Sequence, residues 1–123
     1  MAQKQVTRDV PVAVMRHLLA HPRRATVAFV DDAAVELLPA RFRFSADAYL
    51  FGVRGGDTGI DLTNREVVLL IDDGEYWFEL RGVSVRGVAM RVDPPEGEPD
   101  RLVWHAVEPR RVLAWDYGTI REE

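Results

Sequence analysis

The chain has 123 residues, 47% of them hydrophobic and 29% charged, which is the composition of one globular domain. Its net charge of −4 gives nucleic acid binding no electrostatic support. Cysteine is absent, so disulfides, thiolate chemistry and cysteine-based metal sites are excluded. No apolar run approaches the roughly 20 residues of a membrane span, and the N-terminal segment lacks the apolar stretch of a signal peptide, so we expect a cytoplasmic protein.

The N-terminal segment predicts a single amphipathic helix. We expect residues 1–9 to be flexible and a helix of about three turns to follow. Asp9 is a suitable N-cap, and Pro11 falls in the first turn, where proline is favoured. Apolar residues then recur at i, i+4 spacing. The helix should end near His21, because Pro22 disfavours helical geometry in the residue before it.

Alternating and continuous apolar runs predict a mainly β fold for the rest of the chain. The predicted strands are 25–30, 34–44, 49–53, 67–71, 76–80, 83–92, 101–109 and 110–118. We expect 76–80 and 83–92 to form a hairpin and Pro109 to separate the last two strands. Such regular spacing, with one helix and no interior linker, indicates one barrel domain over residues 1–123.

Two segments between predicted strands, residues 60–65 and 93–100, have sequence patterns that predict their structure. Residues 60–65 are compatible with a short helical turn between strands. Residues 93–100 contain three prolines and four acids, so we expect an exposed loop there.

Few residues have the spacing of a catalytic or metal site. His17 and His21 share one helix face at i, i+4 spacing, but the helix has no third ligand near them, so we expect no metal site. His105 lies in an apolar strand, where a packed residue is more common than a base. Ser45 and Ser84 are the only serines, and neither lies in a nucleophile elbow, so a hydrolase is disfavoured. No catalytic residue is assigned.

A glycine-rich turn and two arginines are the features that can bind an anion. The turn, residues 52–59, has the sequence GVRGGDTG, which can expose backbone N–H groups but matches neither a Walker A loop nor a dinucleotide fingerprint. Arg41 and Arg43 alternate with two phenylalanines and so project from one strand face. They form either an anion clamp or part of a solvated surface.

The three tryptophans fall on predicted strands. Planar ligands bind against aromatic walls, but protein cores and dimer interfaces use the same residues. Their positions are Trp77, Trp104 and Trp115.

Taken in order, five stretches resemble the pyridoxamine 5′-phosphate oxidase-like family of FMN-binding split β-barrels. They are LLAHPRRATVAFV, LLPARFRF, DAYLFGVRGGDT, LTNREVVLLID and VSVRGVAMRV. The resemblance spans about residues 10–120. It implies a six-stranded split β-barrel with an N-terminal helix and short connecting helical turns. It also implies a homodimer that binds two FMN molecules in clefts between its subunits.

The resemblance further implies a flavin- or deazaflavin-dependent oxidoreductase that exchanges hydride with a small molecule. In this family the cofactor carries the hydride, and the protein supplies position and hydrogen bonds. Arg43 falls near a basic position that contacts the FMN phosphate. Gly52, Val53 and Arg54 fall where the third strand lines the flavin.

The chain departs from the family at the glycine turn. Asp57 and Thr58 occupy the positions where flavin-binding members carry a basic pair for the phosphate. Each lost charge-assisted hydrogen bond is worth roughly 1.5–3 kcal/mol. Arg41, Arg54 or Arg65 can replace these cations, and Thr58 still offers a donor. The alternative is a binding or regulatory module that has lost the flavin-phosphate grip and binds another ligand, such as haem, or none. A third possibility is a purely structural barrel that dimerises through its apolar strands.

Overall fold

Seven β-strands and one short helix make up the part of the chain that a computed structural model describes, residues 9–55, 61–99 and 101–117. The elements are β1 (Asp9–Val10), α1 (Arg16–Ala20), β2 (Arg24–Asp31), β3 (Ala34–Ser45), β4 (Ala48–Arg54), β5 (Glu66–Asp73), β6 (Arg81–Val92) and β7 (Leu102–Asp116). Two 3-10 turns, Val12–Met15 and Trp77–Glu79, precede α1 and β6.

Six of the strands form a closed antiparallel barrel. The strand order is β7-β4-β3-β2-β5-β6, and β6 pairs back onto β7 along its whole length. The two-residue strand β1 adds to the C-terminal part of β7. The predictions of a mainly β fold, a six-stranded barrel and an N-terminal helix are therefore confirmed.

The barrel interior is the hydrophobic core. Alternate residues of each strand point inward, as shown by Val67, Leu69 and Ile71 in β5, all at most 1% exposed. The intervening residues of β5 are half-buried rather than fully buried on the second face. The segment Val12–Ala20 contacts β3, β5, β6 and β7 and inserts Met15, Leu18 and Leu19 into the core, so it covers one end of the barrel.

The N-terminal helix differs from the prediction at its start. Asp9 does not cap it, because Asp9 lies in β1 opposite Trp115. Pro11 is the N-cap residue, with no side-chain cap, and the first turn is a 3-10 turn. The helix ends at Ala20, with His21 as its C-cap residue, which agrees with the predicted end near His21. Pairing with the long strand β7 therefore overrode the local capping signal.

Two predicted elements between strands are wrong. The segment 76–80 is not a strand but contains a 3-10 turn, in which Trp77 is 65% exposed. Consequently β6 forms no hairpin with it and pairs with β5 and β7 instead. Residues 62–65 form a β-turn rather than a helical turn, closed by the Arg65 N–H donating to the Leu62 carbonyl at 3.0 Å. Ile60 lies outside the described residues.

The predicted break at Pro109 is also wrong, because β7 runs unbroken from Leu102 to Asp116. A bulge makes this possible. Pro109 opposes Gly87 and Arg111 opposes Arg86, which leaves Arg110 as the extra residue. Proline is tolerated in strands at such bulges because they free the chain from one ladder hydrogen bond.

Candidate functional site

A cleft of about 550 Å³ opens on the outer face of the barrel, between the end of α1 and strands β2, β3 and β4. This volume falls within the range of about 300–1,000 Å³ typical of small-molecule sites. The cleft is lined by Leu19, Ala20, Pro22, Arg23, Arg24, Ala25, Pro39, Ala40, Arg41, Phe42, Arg43, Phe44, Gly52, Arg54 and Leu102. Five of these fifteen residues are arginines, so the cleft is a basic site on a protein of net negative charge.

Strand register places three of the arginines on the same face. Arg41 opposes Gly52, and Arg43 opposes Leu50 two residues along. Arg54 lies two residues beyond Gly52 on β4 and therefore projects to the same side. The intervening Phe42 is buried in the core, 5% exposed. The alternation of arginine and phenylalanine in β3 thus separates a charged outer face from the apolar interior.

Glu98 contacts two of these arginines, which was not predicted from the sequence. Its carboxylate accepts hydrogen bonds from Nε of Arg41, at 2.6 and 2.8 Å, and from Nη1 of Arg43, at 3.1 Å. The Glu98 side chain is only 1% exposed, although it belongs to the acidic loop that was expected to be exposed. Desolvation raises the pKa of Glu98, but the two arginines outweigh it and hold this pKa below its usual value.

The two arginines at the opposite wall come from the start of β2. Arg24 Nη2 donates to the Gly74 carbonyl at 2.8 Å and lies 3.4 Å from Asp72 Oδ2. These contacts attach Arg24 to the end of β5 and fix its direction. Arg23 lines the cleft next to it. Neither residue was singled out from the sequence, because only strand pairing brings β2 beside β3.

The floor of the cleft at β4 depends on a glycine. A Cβ on Gly52 would lie 2.6 Å from Cε2 of Trp104, so the indole ring packs directly on the Gly52 backbone. Trp104 is 1% exposed but lies outside the core cluster, on the outer face of the sheet. Its Nε1 has no hydrogen-bond partner within the described chain.

The remaining predicted cofactor residues divide into two groups. The Val53 side chain lies in the core, 7% exposed, and Val53 is not among the residues that line the cleft. Asp57 and Thr58 lie outside the described residues, as does the second half of the glycine-rich turn, residues 56–59. Its first part ends at Gly55, whose N–H donates to the Arg101 carbonyl at 3.4 Å.

None of the three histidines lines the cleft. His105 is 2% exposed and stacks on Phe51 with ring centroids 5.2 Å apart, as expected for a packed residue. Burial lowers its pKa, and neither ring nitrogen has a hydrogen-bond partner in the described chain. The His17 and His21 rings lie 4.8 Å apart, but the described residues contain no group of three potential metal ligands. Nor does any described helix have the length and apolar character needed to cross a membrane.

Solved structures match this chain, but known sequences do not. No family model and no curated protein matches the sequence. Solved structures do match over nearly the whole chain. An FAD-binding protein from Mycobacterium smegmatis shares 20% identity with a TM-score of 0.69, and the match covers 87% of this chain and 95% of the other.

Two further structures give the same picture. A conserved hypothetical protein from Mycobacterium tuberculosis matches with 19% identity and a TM-score of 0.72, over 98% of this chain and 93% of the other. A candidate pyridoxamine 5′-phosphate oxidase from Corynebacterium glutamicum matches with 12% identity and a TM-score of 0.65, over 93% and 95%. The chain therefore has the six-stranded split-barrel fold of the pyridoxamine 5′-phosphate oxidase-like proteins.

Proposed function

We propose that this protein binds a phosphorylated flavin, FMN or a deazaflavin, in the arginine-lined cleft and acts as an oxidoreductase on a small molecule. The observation that carries the proposal is the convergence of five arginines on one cleft of suitable size. Guanidinium groups bind phosphate through paired N–H donors, so such a cluster favours a phosphorylated ligand. The flavin itself is suggested by the FAD-binding protein that shares the fold.

The residues of the cleft fit such a ligand. Arg41, Arg43 and Arg54 offer donors to a phosphate on one wall. Apolar surface from Phe44 and Leu102, which are both partly exposed, lines the same cleft and can contact a ring system. When bound, a flavin supplies the hydride transfer. The chain's own residues then bind, orient and exclude water, which agrees with the absence of any assigned acid or base.

We further propose a homodimer, in which a second subunit completes the cleft. The outer face of β3 is apolar from Val35 to Pro39 and becomes basic at Arg41. Val35 and Leu37 are 73% and 65% exposed, and Val30, which pairs with Val35 from β2, is 57% exposed. A contiguous apolar face of this kind is typical of a protein interface. The cytoplasmic location stays a prediction.

Flavin titration tests the proposal. We expect added FMN to lose fluorescence and to shift its visible spectrum on binding, and riboflavin, which lacks the phosphate, to bind more weakly. Arg43→Gln should weaken FMN binding at least tenfold, because one charge-assisted hydrogen bond is worth roughly 1.5–3 kcal/mol. Arg111→Gln is the matched control, since Arg111 is an exposed arginine of β7 that does not line the cleft. Unchanged spectra with FMN and with a deazaflavin would refute the proposal.

One observation favours the second candidate function, a binding module without flavin. Glu98 neutralises part of the charge of Arg41 and Arg43, which weakens a phosphate grip on that wall. A module of this kind would bind haem or another ligand. Haem titration in parallel with FMN separates the two candidates, because a Soret shift without any flavin response supports the module and not the oxidoreductase.

A further inference from the structure

We propose that Glu98 is an internal competitor for the anion site of the cleft. Its carboxylate occupies the position between Arg41 and Arg43 that the phosphate of a ligand would take, and the ligand must displace it. The inference deepens the proposed function, because it concerns regulation of the same site. It also has a test that does not depend on flavin.

The contact geometry is that of a bound anion. Both carboxylate oxygens accept from Arg41 Nε, and Oε1 also accepts from Arg43 Nη1, at 2.6 to 3.1 Å. The Glu98 side chain is 1% exposed, whereas the two arginine side chains are 61% and 42% exposed. The arginines therefore present accessible surface to an incoming anion while Glu98 is still in place. The three groups together keep a net charge of +1, which continues to attract an anion.

The conformation of the loop that carries Glu98 keeps the carboxylate close to the two arginines. The Glu98 N–H donates to the Pro95 carbonyl at 3.1 Å, and Gly97 between them has a φ of +85°, which favours glycine. Pro99 follows directly, and its carbonyl accepts from the Leu102 N–H at 3.5 Å. Prolines restrict the loop, so the competing carboxylate has a high effective concentration at the arginines.

Displacement has a defined consequence for affinity. A ligand that needs the open state binds with an apparent affinity reduced by the fraction of molecules in which Glu98 has left. Removing the Glu98 charge should therefore raise the affinity for anions at Arg41 and Arg43. A ligand without a phosphate gains nothing from the change.

The test compares Glu98→Gln with the wild type and with Glu96→Gln, an exposed acid of the same loop. We expect Glu98→Gln to bind FMN and inorganic pyrophosphate about tenfold or more tighter, with riboflavin unaffected. The Glu96→Gln variant changes the loop charge equally but should leave all three affinities within about twofold. Equal or weaker pyrophosphate binding by folded Glu98→Gln overturns the inference, since Glu98 would then serve to position the arginines.

Pyrophosphate and flavin together distinguish a failure of the Glu98 inference from a failure of the flavin proposal. Tighter pyrophosphate binding with no flavin response in any variant supports the competitor and refutes the flavin proposal. Flavin binding that is equal in wild type and Glu98→Gln supports the flavin proposal and refutes the competitor. If circular dichroism shows that Glu98→Gln does not fold, Gly97→Ala replaces it, because a Cβ at positive φ loosens the turn without removing the carboxylate. The same increase in pyrophosphate affinity is then expected, and its absence overturns the inference.

Discussion

Replacing Gly52 by alanine should destabilise the barrel through a single identified overlap. The three atoms nearest to the added Cβ, at 2.6, 2.9 and 3.0 Å, all belong to the indole of Trp104. An ordinary contact begins at 3.4 Å, so the ring must retreat by about 0.8 Å. Trp104 is 1% exposed and cannot swing into solvent.

The expected magnitude is a loss of about 1–2 kcal/mol in the free energy of unfolding. Overpacking of a rigid site costs about 1–3 kcal/mol. Against this, alanine reduces the entropy of the unfolded chain and contributes about 0.4–1 kcal/mol in the opposite direction. The overlap is the larger effect, because an indole buried on the Gly52 backbone has no alternative position.

Urea unfolding followed by circular dichroism measures this change, and a double-mutant cycle assigns it. In a Trp104→Leu background, where the overlapping atoms are gone, Gly52→Ala should be neutral or stabilising, which gives a coupling energy of at least about 1 kcal/mol. Gly97→Ala is the control. It meets no atom within 4 Å but has positive φ, so its cost should be the same in both backgrounds. A neutral Gly52→Ala in the wild-type background would refute the reasoning.

Two further predictions concern the barrel wall and its interior. Gly87→Ala should prevent folding or lower the free energy of unfolding by more than about 3 kcal/mol. The added Cβ would overlap the backbone carbonyl of Glu108 at the bulge, where no side chain can move aside. Thermal melting tests this, and a variant with the wild-type melting temperature would contradict it. Burial lowers the pKa of His105 from 6.5, with a further lowering by Arg91 and an opposing effect of Asp61, so stability is full above pH 6.5 and falls below it, where the unfolded chain binds a proton. As the pH falls below 6.5 the wild type should lose more stability than His105→Phe in urea titrations, and parallel pH profiles would contradict that account.

Local sequence pattern was sufficient for most strands. The predicted bounds of β2, β3, β4 and β5 agree with the structure to within two residues. In these strands, alternation of apolar and polar residues and the turn residues at their ends act over only a few positions. The pattern failed at 76–80, where aromatic residues of high strand propensity lie in a 3-10 turn that has no partner strand. It also failed at Pro109, because a bulge is visible only when the opposite strand is known.

The candidate site was predictable in part for the same reason. Alternation in β3 correctly put Arg41 and Arg43 on one face opposite the buried Phe42. Glu98 could not be found, because 57 residues separate it from Arg41 and its loop has the composition of an exposed segment. Arg23 and Arg24 were overlooked since only the pairing of β2 with β3 brings them to the cleft.

The mainly β class, the direction in which most strand residues point and the N-terminal helix could all be predicted from the amino-acid sequence. Those properties follow from short-range periodicity. Which charged side chains meet depends on how the whole chain folds. Closure of the sheet brings β2, β3 and β4 around one cleft, and the loop before β7 inserts Glu98 between two of its five arginines. Contacts of this kind depend on strand order and register over the whole chain, and no local pattern specifies them.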